Sequence, residues 1–456
     1  MLYENAKTDW LSTKTIFFDE KRSIISDNIN DLIDYSNLEI DPAGLYGYMD
    51  FGFSVFGRTP IKNVHFLQPN SEISKVKNAD GTYSLKIQKL KDPVEELIHQ
   101  PSNVGDTLEY MEYIIEKDYK ESSDQKWVLP LSGGFDSRLL AFFCPEKERI
   151  SAYTYGTSRY DEKSMEVVIA KMLAENLGFQ HTVVSLTHYN DYITKWLDLY
   201  GVSTHCHGMY FMEFYDKLKE LIPEKGVCFS GIIGDAWAGT VNISAINSIS
   251  DMNKLGYTHG MRMNPHMCKI KRDISAYESF YDLNRDKLLD ERWNTVFAMR
   301  NKMMLLSSLI KIPESVGMEV KAPYLNIELA MKMLNLPTRI RRERQWQVDF
   351  LEKNNILFSS NMVNGDSSNC LNAKVLRLNR PKQLNVNVLR EYFDEKYLDW
   401  VNRCILRRTF LPECKGNWFR QKYAVAQLRY NDWMVMKGYY AYLTLKPIED
   451  ILIKRS

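Results

Sequence analysis

Six consecutive residues, Ser132-Gly133-Gly134-Phe135-Asp136-Ser137, stand between two apolar runs in "VLPLSGGFDSRLLAFF". Two glycines let a backbone turn tightly and approach a ligand closely. If a helix starts there, its first N–H groups have no partner within the helix, and its dipole favours negative charge. Two serine hydroxyls add hydrogen-bond donors, and an aspartate can hold a Mg²⁺ ion that in turn meets a phosphate. The set suits a pyrophosphate–Mg²⁺ group. It also suits a plain strand–turn–helix whose Ser and Asp cap the helix. Neither G-x-x-x-x-G-K-[ST] nor G-x-G-x-x-G is present in the loop.

The flanking pattern says what would hold such a loop. From Lys126, strand-like "WVLPL", "ISAYTYG", "HTVVSL" and "GVCFSG" alternate with helix-like "SRLLAFF", "EKSMEVVIAKMLAENLG" and "GMYFMEFYDKLKELI". That alternation predicts a parallel, doubly wound (Rossmann-like) α/β sheet, in which ligands bind beyond the carboxyl ends of the strands. Residues 1–95 read as a small β-rich domain, with "KTIFFD", "RSIISDN", the aromatic, glycine-punctuated "GYMDFGFSVFG" and an Asp-Gly turn in "NADGTYSLKIQKL". Residues 96–358 form the second expected domain and 359–456 a helical C-terminal region, the chain reading mostly helical after Gly239. The stretch 359–386 is the expected linker or mobile loop.

Composition narrows the class. A chain of 456 residues with 45% hydrophobic and 26% charged residues has ample material for a hydrophobic core. A net charge of +1 gives no reason to expect nucleic acid or an anionic membrane as partner. Seven scattered cysteines, with no C-x-x-C spacing, read as reduced thiols, not as a disulfide framework or zinc site. No signal peptide and no run near the ~18 apolar residues of a membrane span are visible, so the expected location is cytoplasmic. His205-Cys206-His207 invites a metal reading, but adjacent positions rarely ligate one ion and no fourth ligand is visible, so packing or pocket lining is expected.

S-G-G-x-D-S after a strand resembles the pyrophosphate loop of the N-type ATP pyrophosphatases, the superfamily of asparagine, argininosuccinate, GMP and NAD synthetases and tRNA-modifying enzymes. Four further stretches, in order over about 130–340, resemble the asparagine synthetase branch: "AYTYGT", "EVVIAKMLAENLGFQHTVVSL", "VCFSGIIGDAWAG" and "MEVKAPYLNIELAMKMLNLP". Residues 45–73 resemble the end of that family's glutaminase domain, but Leu2 stands where its nucleophilic cysteine would be, so glutamine hydrolysis is not expected. The resemblance implies an ATP-dependent, AMP-forming ligase. It would adenylate a small-molecule or peptide carboxylate and pass the acyl group to ammonia or another amine, the ammonia free or from a partner protein.

Carried over by position, the resemblance makes Ser132, Gly133, Gly134, Phe135, Asp136 and Ser137 pyrophosphate ligands, and Asp136 with Asp235 the Mg²⁺ ligands. Leu131, Thr154, Tyr155 and Gly156 would line the adenine, and Gly231 and Gly234 belong to the second nucleotide loop. Lys422, with Lys415 next, would be the late-loop lysine that stabilises adenylation; by spacing, "RQWQVDFLEKNN" is the alternative equivalent, and the lysine would then be missing. The run Arg339, Arg341, Arg342, Arg344 reads as a solvated helix face or an anion contact.

The departures from S-G-E-G-x-D-E and P-F-L-D are Ile232, Ala236 and Asn326, and Arg138 replaces the second serine of S-G-G-x-D-S-S. The nucleotide half therefore reads as kept and the acceptor half as rewritten, which argues against asparagine synthesis itself. Two rival readings are a non-catalytic nucleotide-binding scaffold, favoured by the lost glutamates, and a tRNA-modifying adenylating enzyme, disfavoured by near-zero charge and no cysteine pair.

Overall fold

Strand and helix alternate from Lys126 as the periodicity predicts, and a computed structural model arranges them as a five-stranded, all-parallel sheet. The structure describes residues 1–122, 125–222, 226–256, 262–358, 363–407 and 423–455, with the backbone alone over 423–432. Twelve strands are numbered in chain order among these residues. The parallel sheet contains β8 (Lys126–Pro130), β9 (Ile150–Tyr155), β10 (Gln180–Val184), β11 (Gly226–Phe229) and β12 (Glu319–Lys321), in the order β10-β9-β8-β11-β12. Trp127, Val128, Val227 and Cys228 are all fully buried, as strands covered on both faces require. The chain runs outward from β8 to β10, then returns to the other side of β8 with β11. The direction reverses between β8 and β11, and a ligand crevice is expected at that switch point.

After Gly239 the described residues are mostly helical, as expected, and β12 is the one strand among them. Its three residues pair in parallel with β11, Val227 opposite Glu319. A strand that short has no periodicity to detect.

The N-terminal residues form two antiparallel sheets. β1 (Leu2–Tyr3), β4 (Ile24–Ser26), β3 (Phe17–Asp19) and β5 (Val64–Phe66) make one, in that order; β2 (Asn5–Lys7), β6 (Ser71–Lys77) and β7 (Tyr83–Lys89) make the other. Phe18, Ile25 and Ile73 meet in a small core between the sheets, while Phe17 and Phe66 face the main core. This is the two-residue alternation of a strand. The aromatic stretch expected to be β-like is in part a helix, Pro42–Phe51. Asp41 caps it by accepting from Ala43 and Gly44 N–H, Pro42 opens it, and Gly52 closes it in the left-handed region.

This β-rich unit is welded to the sheet. Trp10 packs on Trp237 with ring centroids 5.6 Å apart, and its indole N–H donates to the Leu325 carbonyl at 3.0 Å. Arg300, in the helix Glu291–Leu306, makes a bidentate pair with Asp92 at 2.7 and 2.8 Å. Its Nε donates to the Trp10 carbonyl at 2.8 Å. Burial acts to raise the Asp92 pKa, but Arg300 outweighs it and the net shift is downward.

Residues 363–386 are not the linker that their composition suggests. They include the helix Leu371–Leu378, and Lys374 pairs with Asp161 at 2.7 Å. The C-terminal helix Tyr423–Arg455 packs Tyr439 and Leu445 into the main core. No described helix is long and apolar enough to cross a membrane.

The Arg300–Asp92 pair predicts a large, directional stability effect. Arg300→Ala leaves a buried carboxylate alone and should destabilise the protein by roughly 3–5 kcal/mol. Replacing both residues with apolar ones should recover much of that loss. Denaturant unfolding of the two variants checks this.

Candidate active site

The loops after β8 and β11 meet at the switch point. The first opens the helix Phe135–Phe143, whose N-cap position is Gly134, a residue with no side chain to cap it. Ser137 Oγ donates to the Gly134 carbonyl at 3.0 Å, and Ser132 Oγ accepts weakly from Gly134 N–H at 3.3 Å. Gly133 has φ +68°, and a Cβ there would come within 3.1 Å of the Glu166 carbonyl. Only glycine combines that turn with that approach.

Arg138 explains one departure from the motif. It is 3% exposed, and its Nε and Nη2 donate to the Gly133 carbonyl at 2.9 and 2.7 Å. Its Nη1 reaches the carbonyls of Ile356 and Leu357. Burial, and then nearby Arg344, pull the guanidinium down to about 10. The residue that replaces a serine thus ties the loop to residues 356–357 from below.

Asp136 and Asp235 come from the two different loops and line one cavity of about 540 Å³. Burial, and then the charge of Asp235, push the Asp136 carboxyl up to about 7, against the pull of Gln347 and Arg344. Gln347 Nε2 donates to Asp136 Oδ1 at 3.0 Å, and the Tyr324 hydroxyl donates to the Asp136 carbonyl at 3.1 Å. Gly234 permits the approach: a Cβ there would lie 2.9 Å from Asp136 Cγ and 2.8 Å from the Tyr324 ring. Two carboxylates lining one cavity offer oxygen donors of the kind that fits Mg²⁺.

Ile233, beside them, has φ +56°. A branched residue there is strained by about 1–2 kcal/mol, a conformation concentrated at functional sites. Asp235 leads into a short π-helical turn, Ala236–Thr240. Trp237 N–H donates to the Tyr324 carbonyl and Trp346 N–H to the Ala238 carbonyl, both at 3.1 Å.

Of the residues carried over by position, Leu131, Ser132, Asp136, Ser137, Thr154, Tyr155, Gly231 and Asp235 line the cavity together. Gly133, Gly134, Phe135, Gly156 and Gly234 are not among its lining residues; the glycines shape its backbone. Phe135 lies between two guanidiniums, with Arg344 4.5 Å and Arg138 5.3 Å from its ring. Thr154 Oγ1 donates to the Leu131 carbonyl at 2.5 Å, joining the ends of β9 and β8. Lys422 and Lys415 lie outside the described residues.

Three participants were not singled out from the sequence. Gln347 sits in the stretch "RQWQVDF" and reaches Asp136 from the helix Gln345–Lys353. Glu166 lines the cavity, accepting from the Thr157 hydroxyl at 3.1 Å. Lys302 lines it from the helix Glu291–Leu306, and burial pulls its ammonium down to about 8 while Asp235 opposes the fall. A glutamine, a glutamate and a lysine in helices look like surface residues until the fold is known.

Asn326, the arginine run and the His205–His207 stretch lie as follows. Asn326 is a helix cap that accepts from Leu329 N–H at 3.1 Å, outside the cavity lining. Arg341 is buried and not solvated, whereas Arg344 reaches the loop. His205 is buried and accepts from His207 N–H at 3.0 Å, while His207 packs on Tyr210 and Tyr440.

Two predictions follow from this geometry. A carboxyl whose folded pKa is raised from 3.8 to about 7 favours folding at acid pH and loses that contribution as pH rises between those values. Asp136→Asn has nothing to ionise. In metal-free protein its stability relative to wild type should therefore improve from pH 5 to pH 8, measured by denaturant midpoints in chelator. Arg138→Met should cost about 2–4 kcal/mol through unsatisfied carbonyls and weaken nucleotide binding by loosening Gly133. Unfolding and nucleotide titration check the two effects separately.

A comparison with curated proteins finds no match to this chain. A family model described as asparagine synthase matches residues 120–348. That span opens before β8, contains both carboxylate loops, and ends one residue beyond Gln347. With half of its residues matched, and with both loops at the switch point of a parallel sheet, the chain belongs to the asparagine synthase family.

Proposed function

We propose that this ATP-dependent ligase is AMP-forming: it adenylates a carboxylate and transfers the acyl group to ammonia or another amine. The observation that carries the reading is the pairing of Asp136 and Asp235 at one cavity beside a glycine loop with no side-chain cap. Such a loop offers backbone N–H groups and the Ser132 and Ser137 hydroxyls to a pyrophosphate. Leu131, Thr154 and Tyr155, which line the same cavity at the ends of β8 and β9, are the residues proposed to meet the base.

The residues proposed to hold Mg²⁺ are Asp136 and Asp235; the ion would offset charge on the leaving pyrophosphate. In the first step a carboxylate oxygen of the acid forms a bond to the α-phosphorus. The bond from that phosphorus to the bridging oxygen breaks, and pyrophosphate leaves with the electron pair. In the second, the amine nitrogen bonds to the acyl carbon, AMP leaves with the electrons of the C–O bond, and the amine proton passes to solvent. Positioning and charge compensation are the protein's main contributions. The β-rich unit, which we take as residues 1–95, contains no cysteine, so it offers no thiol for glutamine hydrolysis. The amine therefore comes from solution or from a partner.

Ile232 and Ala236, at the positions of the motif's glutamates, favour a second reading: a nucleotide-binding scaffold without turnover. ATP–pyrophosphate exchange with Mg²⁺ and a panel of carboxylic acids separates the two. Exchange should occur with at least one acid, and Asp136→Ala or Asp235→Asn should lower it by at least ~100-fold. Undiminished ATP binding with no exchange for any acid would favour the scaffold.

A further inference from the structure

We infer that the acid activated here is an apolar carboxylic acid with no amino group beside its carboxyl, and that Lys302 holds that carboxyl at the nucleotide. The inference rests on the adenylation reading and names its substrate class. Its basis is the lining of the cavity. Glu166, which stands against Gly133 and receives the Thr157 hydroxyl, belongs with the ends of β8 and β9. The lining also holds apolar Phe211, Ile232, Ala236, Met299, Leu306 and Leu309.

Met299, Lys302 and Leu306 follow one another at three and four residues, so one face of the helix Glu291–Leu306 presents a cation between two apolar side chains. Among the described lining residues, the charged ones are Asp136, Glu166, Asp235 and Lys302, and Lys302 is the cation.

That lining suits one kind of acid. A free α-ammonium needs an anionic or acceptor partner when it leaves water. Ile232 and Ala236 occupy the motif's glutamate positions, the Asn326 side chain is committed to capping a helix, and the one lining carboxylate outside the proposed cation pair, Glu166, is engaged by Thr157 and stands at Gly133, beside the nucleotide loop. An apolar acid needs no such partner: its body meets the apolar lining residues, and its carboxylate meets a lysine close enough to Asp235 to feel its charge. The lysine counters repulsion between an incoming carboxylate and a polyphosphate, a task for a positioned cation.

The test combines exchange with equilibrium binding on the full chain. Hexanoate, phenylacetate, aspartate and glutamate are compared in ATP–pyrophosphate exchange. The two apolar acids are then titrated calorimetrically into protein saturated with α,β-methylene-ATP. Exchange should be at least tenfold faster with an apolar acid than with either amino acid. Lys302→Met should weaken binding of that acid at least tenfold and change the affinity for α,β-methylene-ATP less than twofold. Lys302→Arg should recover part of the acid affinity.

Exchange with aspartate or glutamate in preference to the apolar acids overturns the substrate assignment and leaves adenylation standing. Exchange with no acid overturns the adenylation reading and this inference with it. Lost nucleotide affinity with retained acid affinity in Lys302→Met places the lysine on the nucleotide and overturns its assigned role.

Discussion

Two carboxylates that belong to different loops share one shielded place, and their mutual repulsion is the constraint around which this structure is organised. Left alone, Asp136 and Asp235 would move apart or take up a proton; burial first, and then the charge of Asp235, push the Asp136 carboxyl upward. The fold keeps them together instead. Gly234 removes the Cβ that would collide with the Asp136 carboxyl, and Gln347 and Tyr324 fix the side chain and backbone of that residue. Trp237 then fixes Tyr324, and Trp10 packs on Trp237. The bracing runs from the switch point into the N-terminal residues, so the β-rich unit supports the site through contacts. On the proposed reading, a cation would relieve what these contacts hold in place.

The first loop shows how far a motif can be altered without losing its geometry. A second serine in the motif would add a hydroxyl; Arg138 adds a buried guanidinium that grips the Gly133 carbonyl and the backbone at 356 and 357. Ile233 likewise holds a left-handed backbone beside Gly234, and its burial, at 6% exposed, offsets part of the strain. Arg138 leaves the strand-end crevice intact. Ile232 and Ala236 differ in kind, because at the positions of the motif's glutamates they put apolar side chains into the cavity lining.

What the sequence displayed was local. S-G-G-F-D-S and the alternation of strand and helix announce the loop and the parallel sheet, since each depends on neighbouring residues. The Asp-Gly turn likewise announces the β6–β7 hairpin. What it hid was either too short or too distant. β12 has three residues, too few for a periodicity. Gln347 reaches Asp136 across 211 positions; spacing marks its stretch, "RQWQVDFLEKNN", but not the residue itself. The helix Pro42–Phe51 was in fact signalled by Asp41, Pro42 and Gly52, but aromatic and glycine content suggested strand. At 363–386 composition suggested a linker, whereas Lys374 and Asp161 secure the segment.

The account stands on Asp136 and Asp235 acting as one cation site. A bound cation must displace the proton that Asp136 holds at mildly acid pH. Calorimetric titration of Mg²⁺–ATP at pH 6, repeated in buffers of different ionisation enthalpy, counts that proton. The account predicts release of about one proton per site in the wild type and none attributable to this group in Asp136→Asn. Tight binding with the same proton release in both proteins would contradict it.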